Sequence, residues 1–112
     1  MGESFDMSKD KKMDIRLMIT REDMIEKVTS GEKTAIRRQK RFADVGDTFE
    51  LEGSMFKITD VYQQQLGDVT NQDAQNEGFD SLEAYKESIT SIHEGAVWVP
   101  KLTVWAHEFK AI

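Results

Sequence analysis

The chain has no cysteine and a single proline in 112 residues. Without thiols it has neither disulfides nor a thiolate metal site, so a reducing compartment is the default expectation. One proline and seven glycines leave no Pro/Gly-rich linker at which to divide the chain. There is no run of 18 apolar residues to cross a bilayer, and Met1 to Lys12 is polar, without the apolar centre of a secretion signal. These absences predict one cytoplasmic domain over residues 12–112, preceded by a flexible terminus over residues 1–11. Histidine is scarce too. His93 and His107 lie on different predicted elements, with no His/Cys/Asp cluster of metal-ligand spacing around either, so no metal site is expected. His93 reads as a helix C-terminal residue favoured by the dipole, and His107 as an edge or half-exposed one. Neither Gly-x-Gly-x-x-Gly nor Gly-x-x-x-x-Gly-Lys-Ser/Thr occurs, and no serine elbow is present, so no cofactor is implied.

What the chain does have is charge, unevenly placed. A charged fraction of 32% beside 38% hydrophobic residues suits a folded globular protein. The formal net charge is −6, with a pI near 4.9. Such a field opposes indiscriminate binding to nucleic acid or to an anionic membrane. Yet Gly31 to Arg41 holds five of the 15 Lys and Arg residues with only Glu32 against them, whereas Asp44 to Glu87 holds eleven acids and two lysines. One basic cleft with acidic flanks would repel duplex in bulk and still admit a small anionic ligand or a single strand. The basic stretch is therefore either a solvated, ion-paired surface or an anion site.

Periodicity gives the elements. Met13, Ile15, Leu17 and Ile19 alternate with polar residues, predicting a strand over Lys12 to Ile19. Thr20 with Asp23 three residues on resembles a capping box, and Met24, Ile25 and Val28 give a short helix its apolar stripe until Ser30-Gly31. Asp44 and Gly46-Asp47 mark a turn. Phe49 and Leu51 form a strand joined through Glu52-Gly53-Ser54 to a returning strand, Met55 to Tyr62. Thr70-Asn71 opens a short helix ending at Gly78. Asp80-Ser81-Leu82-Glu83 caps another, carrying Leu82, Tyr85, Ile89 and Ile92 to about His93. Val97 to Phe109 predicts strands around a break at Pro100, the last apolar on both faces and hence central or in a closed barrel. The order is β, α, β, β, β, α, α, β, β. The local hairpin argues against a doubly wound parallel sheet and for a small barrel with packed helices.

Among the chemistry-bearing residues, Lys33 sits where a helix-ending glycine meets a strand. Enclosure there would desolvate it and lower its pKa. Arg37 and Arg38 point to opposite faces of a regular strand, so one is placed to enter a cleft. Glu77 ends a short helix, either as a placed acid or as a solvated one before a glycine cap. Trp98, Tyr62 and Phe79 offer base-stacking surfaces or core.

Taken in order, the helix leading into Gly31-x-Lys33-Thr34-x-x-x-Arg38, then Val45-Gly46-Asp47, Ile58-Thr59-Asp60-Val61, Ala74-x-x-Glu77-Gly78-Phe79 and Trp105-x-x-Glu108-Phe109 resembles the ASCH domain (activating signal cointegrator homology) of the PUA-like superfamily. The resemblance runs from about Met13 to Ile112. It implies an α+β fold, a small PUA-like mixed β-barrel with two to three packed helices, and RNA binding in a cleft lined by these residues. The implied partner is single-stranded RNA, a nucleotide or a nucleoside, held by Lys33, Thr34, Arg37, Arg38 and Glu77, with no membrane partner. One small bacterial branch removes the acyl group from N4-acetylcytidine using a Lys, a Thr three residues after it, and a Glu in the short helix. Lys33 and Glu77 match; the Thr position is Ile36, which has no hydroxyl, and Thr34 falls where that branch has another Thr. An enzyme would then use Lys33 as base and Glu77 to orient or shuttle a proton, with Thr34 or a water as nucleophile. Another branch is ribonuclease-like. A third expectation is a protein-interaction module, docking through Asp80, Glu83 and Glu87 with a vestigial cleft.

Overall fold

The two-residue link Glu52-Gly53 has positive φ at both positions (51° and 85°), the geometry that matches the twist of paired strands. It joins β2 (Thr48–Leu51) to β3 (Ser54–Gln65), the hairpin expected from the alternation. The computed structural model, which describes residues 12–91 and 95–112, adds β1 (Ala35–Arg38) and β4 (Thr103–Ala111) to give one sheet in the order β1-β4-β3-β2. Every pairing is antiparallel. β4 is central, and its Val104, Ala106, His107 and Phe109 are buried from both faces, as its two-sided apolar pattern predicts. A register shift between Ile58 and Asp60 bends β3. A bulge of that kind sharpens local twist, and the sheet curls into a half-barrel with three helices beside it, the small α+β architecture expected.

The helices are α1 (Glu22–Thr29), α2 (Asn71–Asn76) and α3 (Leu82–Thr90). α2 begins with a full capping box: Thr70 accepts from the Asp73 backbone N–H at 3.0 Å, and Asp73 accepts from Thr70 N–H at 3.0 Å. α3 is capped by Ser81, whose hydroxyl accepts from Ala84 N–H, one residue later than the Asp80 cap anticipated. α1 has no side-chain cap. Its N-cap is Arg21, and the Asp23 carboxylate expected to serve a capping box instead accepts from the Arg21 guanidinium and from Met24 N–H. The expected extension of α3 through Ile92 to His93 lies outside the described residues.

Two expected strands do not form. In Lys12 to Ile19, Asp14 accepts from the Arg16 backbone N–H and starts a 3-10 turn over Ile15–Leu17. Burial then follows position and not alternation: adjacent Met18 and Ile19 are both in the core, while Leu17 is exposed. Local side-chain bonding outcompetes a ladder here. Val97 to Val99 is also not a strand. Those two valines are exposed, and the chain turns at Pro100, whose carbonyl accepts from Gly67 N–H at 2.8 Å.

Among the described residues, buried apolar side chains collect into two clusters. One holds Met18, Ile19, Val28, Ile36, Phe42, Phe49, Phe56, Ile58 and Phe109. The second holds Leu66, Val69, Ala74, Tyr85 and Val104, with Phe79, Trp98 and Leu102 against it. Members of both line a single open cleft of about 840 Å³.

Candidate functional site

Antiparallel pairing decides which side chains meet. Arg37 of β1 lies opposite Ala106 of β4, which in turn lies opposite Tyr62 of β3. Residues opposite one another share a face, and so do residues two apart on a strand. Arg37, Tyr62 and Gln64 therefore project on one side of the sheet, the side that α2 covers. The distances agree. Arg37 Nε donates to Gln64 Oε1 at 2.7 Å, Nη1 to Glu77 Oε2 at 2.9 Å, and Nη2 stands 3.5 Å from Asp73 Oδ1.

Lys33 reaches the same carboxylate from the loop before β1. Its Nζ donates to Glu77 Oε1 at 2.9 Å and to the Glu77 carbonyl at 3.0 Å. The backbone clamps the two segments together, since Thr34 N–H donates to Asn76 O at 2.7 Å. Glu77 is the C-cap of α2, and the chain turns there through Gly78 at φ +93°. A Cβ on that glycine would lie 3.0 Å from Lys27 Cδ, so the position favours glycine twice, by conformation and by space. Lys27 of α1 donates to the Gly78 carbonyl at 2.9 Å and lies over the Phe79 ring at 4.6 Å. α1, α2 and the segment leading into β1 are thus tied at one point.

This cluster is shut off from bulk solvent. Lys33 is 2% exposed and Glu77 3%. Burial depresses the Lys33 pKa below the ordinary lysine value, against the pull of Glu77. Burial also opposes the Arg37 charge, but Glu77 and Asp73 more than offset it and raise its pKa. Asp73 is held below the usual carboxylate value despite partial burial, by the Thr70 N–H bond and by Arg37. Two cations face two carboxylates, so the inner cluster is electrically closed. Tyr62 donates to Glu108 Oε2 at 3.0 Å on the same sheet face, and burial with that bond pushes its pKa up to about 12.

The cleft mouth is different. Arg38 lies over Phe42 at 5.2 Å and donates from Nη2 to Leu17 O at 3.3 Å. Lys40, at the same rim, is exposed. Among the described residues neither these two nor Lys27 has a carboxylate partner. Arg21 at the rim is already paired with Asp23.

The structure therefore brings together Lys33, Arg37 and Glu77, and places Arg38 on the wall of the same cleft. Thr34 stands apart: it is exposed and forms none of the cleft wall. Ile36 does line the cleft and is buried in the first apolar cluster. Gln64, Asp73 and Tyr85 join the site without having been anticipated. Asp73 carried a signal, being three residues after a threonine at a helix start; Gln64, inside a polar run, carried none. His107 is fully buried and not at an edge. Its Nε2 accepts from Phe42 N–H at 3.0 Å, and Nδ1, 3.3 Å from Ile36 O, is left as the donor. Burial lowers its pKa, so it is a neutral strut between β4, β1 and the loop after β1. Among the described residues no group of three or more His, Cys, Asp or Glu side chains converges as a metal site, and no helix is long and apolar enough to cross a membrane.

No family model and no curated protein sequence matches the chain. Solved structures do. An ASCH domain from Lactobacillus crispatus JV V101 superposes with a TM-score of 0.64 at 20% identity, over 80% of this chain and 70% of that one. A protein of Enterococcus faecalis V583 from the family designated DUF984 superposes with a TM-score of 0.55 at 17% identity, over 80% of this chain and 67% of that one. The fold is ASCH-like.

Proposed function

We propose that the cleft binds a nucleotide or a short single-stranded RNA, with phosphate at the rim and base inside. One observation carries this reading: Lys27, Arg38 and Lys40 line a cleft with apolar walls and have no carboxylate partner among the described residues, in a chain of net charge −6. Unpaired cations beside apolar and aromatic surface suit a ligand that is anionic at one end and flat at the other. The ASCH-like fold is in keeping with it. The test is fluorescence anisotropy of a labelled single-stranded RNA at roughly 50 and 200 mM salt. Arg38→Ala with Lys40→Ala is expected to weaken binding and to flatten the log–log salt slope by about 1.4, at about 0.7 per phosphate contact on a single strand. Binding absent at both salts, or a slope that the double variant leaves unchanged, removes the reading.

A second reading draws on the Lys33–Glu77 hydrogen bond, which would serve an amidohydrolase acting on N4-acylated cytidine. Lys33 would be the base and Glu77 its orienting partner. Ile36 at the cleft wall has no hydroxyl, and Thr34 lies outside the cleft, so a water would have to be the nucleophile. Chromatography of N4-acetylcytidine incubated with the protein decides it: no cytidine above the buffer rate sinks this alternative.

A further inference from the structure

Tyr85 is a polar group that the ion cluster leaves unused. It is 6% exposed and lines the cleft. Phe79 and Trp98 meet its ring edge-on, at centroid distances of 5.5 and 6.2 Å. Such contacts fix where an aromatic side chain points. Its hydroxyl makes no hydrogen bond among the described residues, although buried phenols normally find a partner. Nor is that oxygen sealed in: Arg38 Nε is the enclosed side-chain polar atom that lacks a partner there. The phenol oxygen of this cleft-lining side chain is therefore not closed off. Burial, with Glu77 nearby, raises its pKa above the ordinary tyrosine value, so at neutral pH it remains an uncharged donor and acceptor.

Charge decides what can come to it. The cations deepest in the cleft, Lys33 and Arg37, are already bonded to Glu77, and Arg37 also faces Asp73. An anion arriving there meets committed cations and two carboxylates. A neutral ring meets apolar walls and one free hydroxyl. We propose that Tyr85 is a specificity-determining residue of the cleft, its hydroxyl hydrogen-bonding the neutral polar edge of a planar heterocycle such as a pyrimidine while the ligand's phosphate stays at the rim. This rests on the nucleotide-binding reading above and adds which residue reads the base.

The experiment uses three probes on the full chain by isothermal titration: cytidine, cytidine 5′-monophosphate and inorganic phosphate. Tyr85→Phe is expected to weaken cytidine and its monophosphate by about fivefold to tenfold, the size of one hydrogen bond, and to leave phosphate unchanged. Arg38→Ala is expected to do the converse, weakening the monophosphate and phosphate and sparing cytidine. If the wild type binds cytidine and Tyr85→Phe binds it equally well, the role of Tyr85 is overturned and the cleft reading stands. If the wild type binds neither cytidine nor its monophosphate, both fall. A readout independent of that variant is available because the chain has two tyrosines. Protein made with 3-fluorotyrosine gives two fluorine resonances, assigned with Tyr62→Phe. The Tyr85 signal is expected to shift with cytidine and not with phosphate; a signal that stays put with cytidine overturns the proposal.

Discussion

Removing Glu77 is the sharpest perturbation the structure offers. Its two carboxylate oxygens each accept from a different cation, Lys33 at 2.9 Å and Arg37 at 2.9 Å, and both cationic side chains are 1% exposed. Breaking a buried ion pair from one side costs about 3–5 kcal/mol, because the surviving charge is left without water or partner. Two features place Glu77→Ala within that range and not above it. Arg37 keeps Asp73 at 3.5 Å and Gln64 at 2.7 Å. Lys33, already depressed by burial, loses the carboxylate that opposed the depression and can shed its proton, whereas arginine cannot. Glu77→Gln keeps the shape and one acceptor, and its expected cost is about 2–3 kcal/mol. Against a typical total of about 5–15 kcal/mol, the alanine variant should be visibly destabilised. Urea unfolding followed by circular dichroism measures it, read as a lower midpoint at unchanged slope. The double variant Lys33→Met, Glu77→Gln should lose less than the sum of its single changes, since removing Lys33 removes one of the stranded charges. A cost below about 1 kcal/mol for Glu77→Ala, a surface-like value, would refute the assignment of Lys33, Arg37 and Glu77 as a buried ion cluster.

Two further outcomes follow from other sites. His107 has a pKa lowered from 6.5 in the folded protein, so on acidification the unfolded chain takes up a proton that the folded chain refuses. Stability from this group is present above pH 6.5 and falls as pH drops through and below it, by up to about 1.4 kcal/mol per pH unit. The groups acting on the ring are the Ile36 and Trp105 carbonyls, Arg38 and Glu77, with Phe42 N–H bonded to Nε2. In urea titrations at successive pH values, His107→Gln should start less stable and show a shallower decline below pH 6.5 than the wild type; equal slopes would refute the assignment. Glu52 is the one non-glycine with positive φ among the described residues. Glu52→Asn should stabilise the β2–β3 hairpin by a few tenths to about 1 kcal/mol, since asparagine tolerates the left-handed region that the turn requires. A melting temperature equal to or below the wild type's would count against that.

The hairpin, the two capped helices and the central β4 were legible because each is specified locally, by alternation, by a glycine at a tight turn, or by a hydroxyl or acid at a helix start. The segments at 12–19 and 97–99 misled for opposite reasons. In the first, alternation was real, but Asp14 could bond the backbone two residues on and the turn won. In the second, β-favouring residues had no neighbouring strand to pair with. At the site, Lys33 stood out by its place between a helix-ending glycine and a strand, and Glu77 by its place before Gly78. Gln64 could not be seen: its role depends on β3 continuing three residues beyond Tyr62 and on register across β4, which no local pattern encodes. Tyr85 was visible only as one apolar position of a helical stripe, and His107 only as a histidine near a strand's end. Long-range pairing supplied what the residues alone did not.

The basic stretch Gly31–Arg41 posed a choice between an ion-paired surface and an anion site, and the structure divides it residue by residue. Lys33 and Arg37 are committed to Glu77 and Asp73, and Arg41 is paired with Asp44. Arg38 and Lys40 remain without carboxylate partners among the described residues, joined at the cleft by Lys27 from α1. The formal charge of the stretch therefore overstates its attraction for an anion, and its location misstates where an anion would sit. The committed cations lie deepest and hold β1 against α2, where burial makes their removal costly. The cations without a carboxylate partner among the described residues lie at the mouth, where a phosphate can approach without breaking that clasp. A ligand that had to displace Glu77 from both of its partners would oppose the interaction that keeps the cleft's walls together. Binding around the clasp, with charge at the rim and a neutral ring against Tyr85, asks for no such loss.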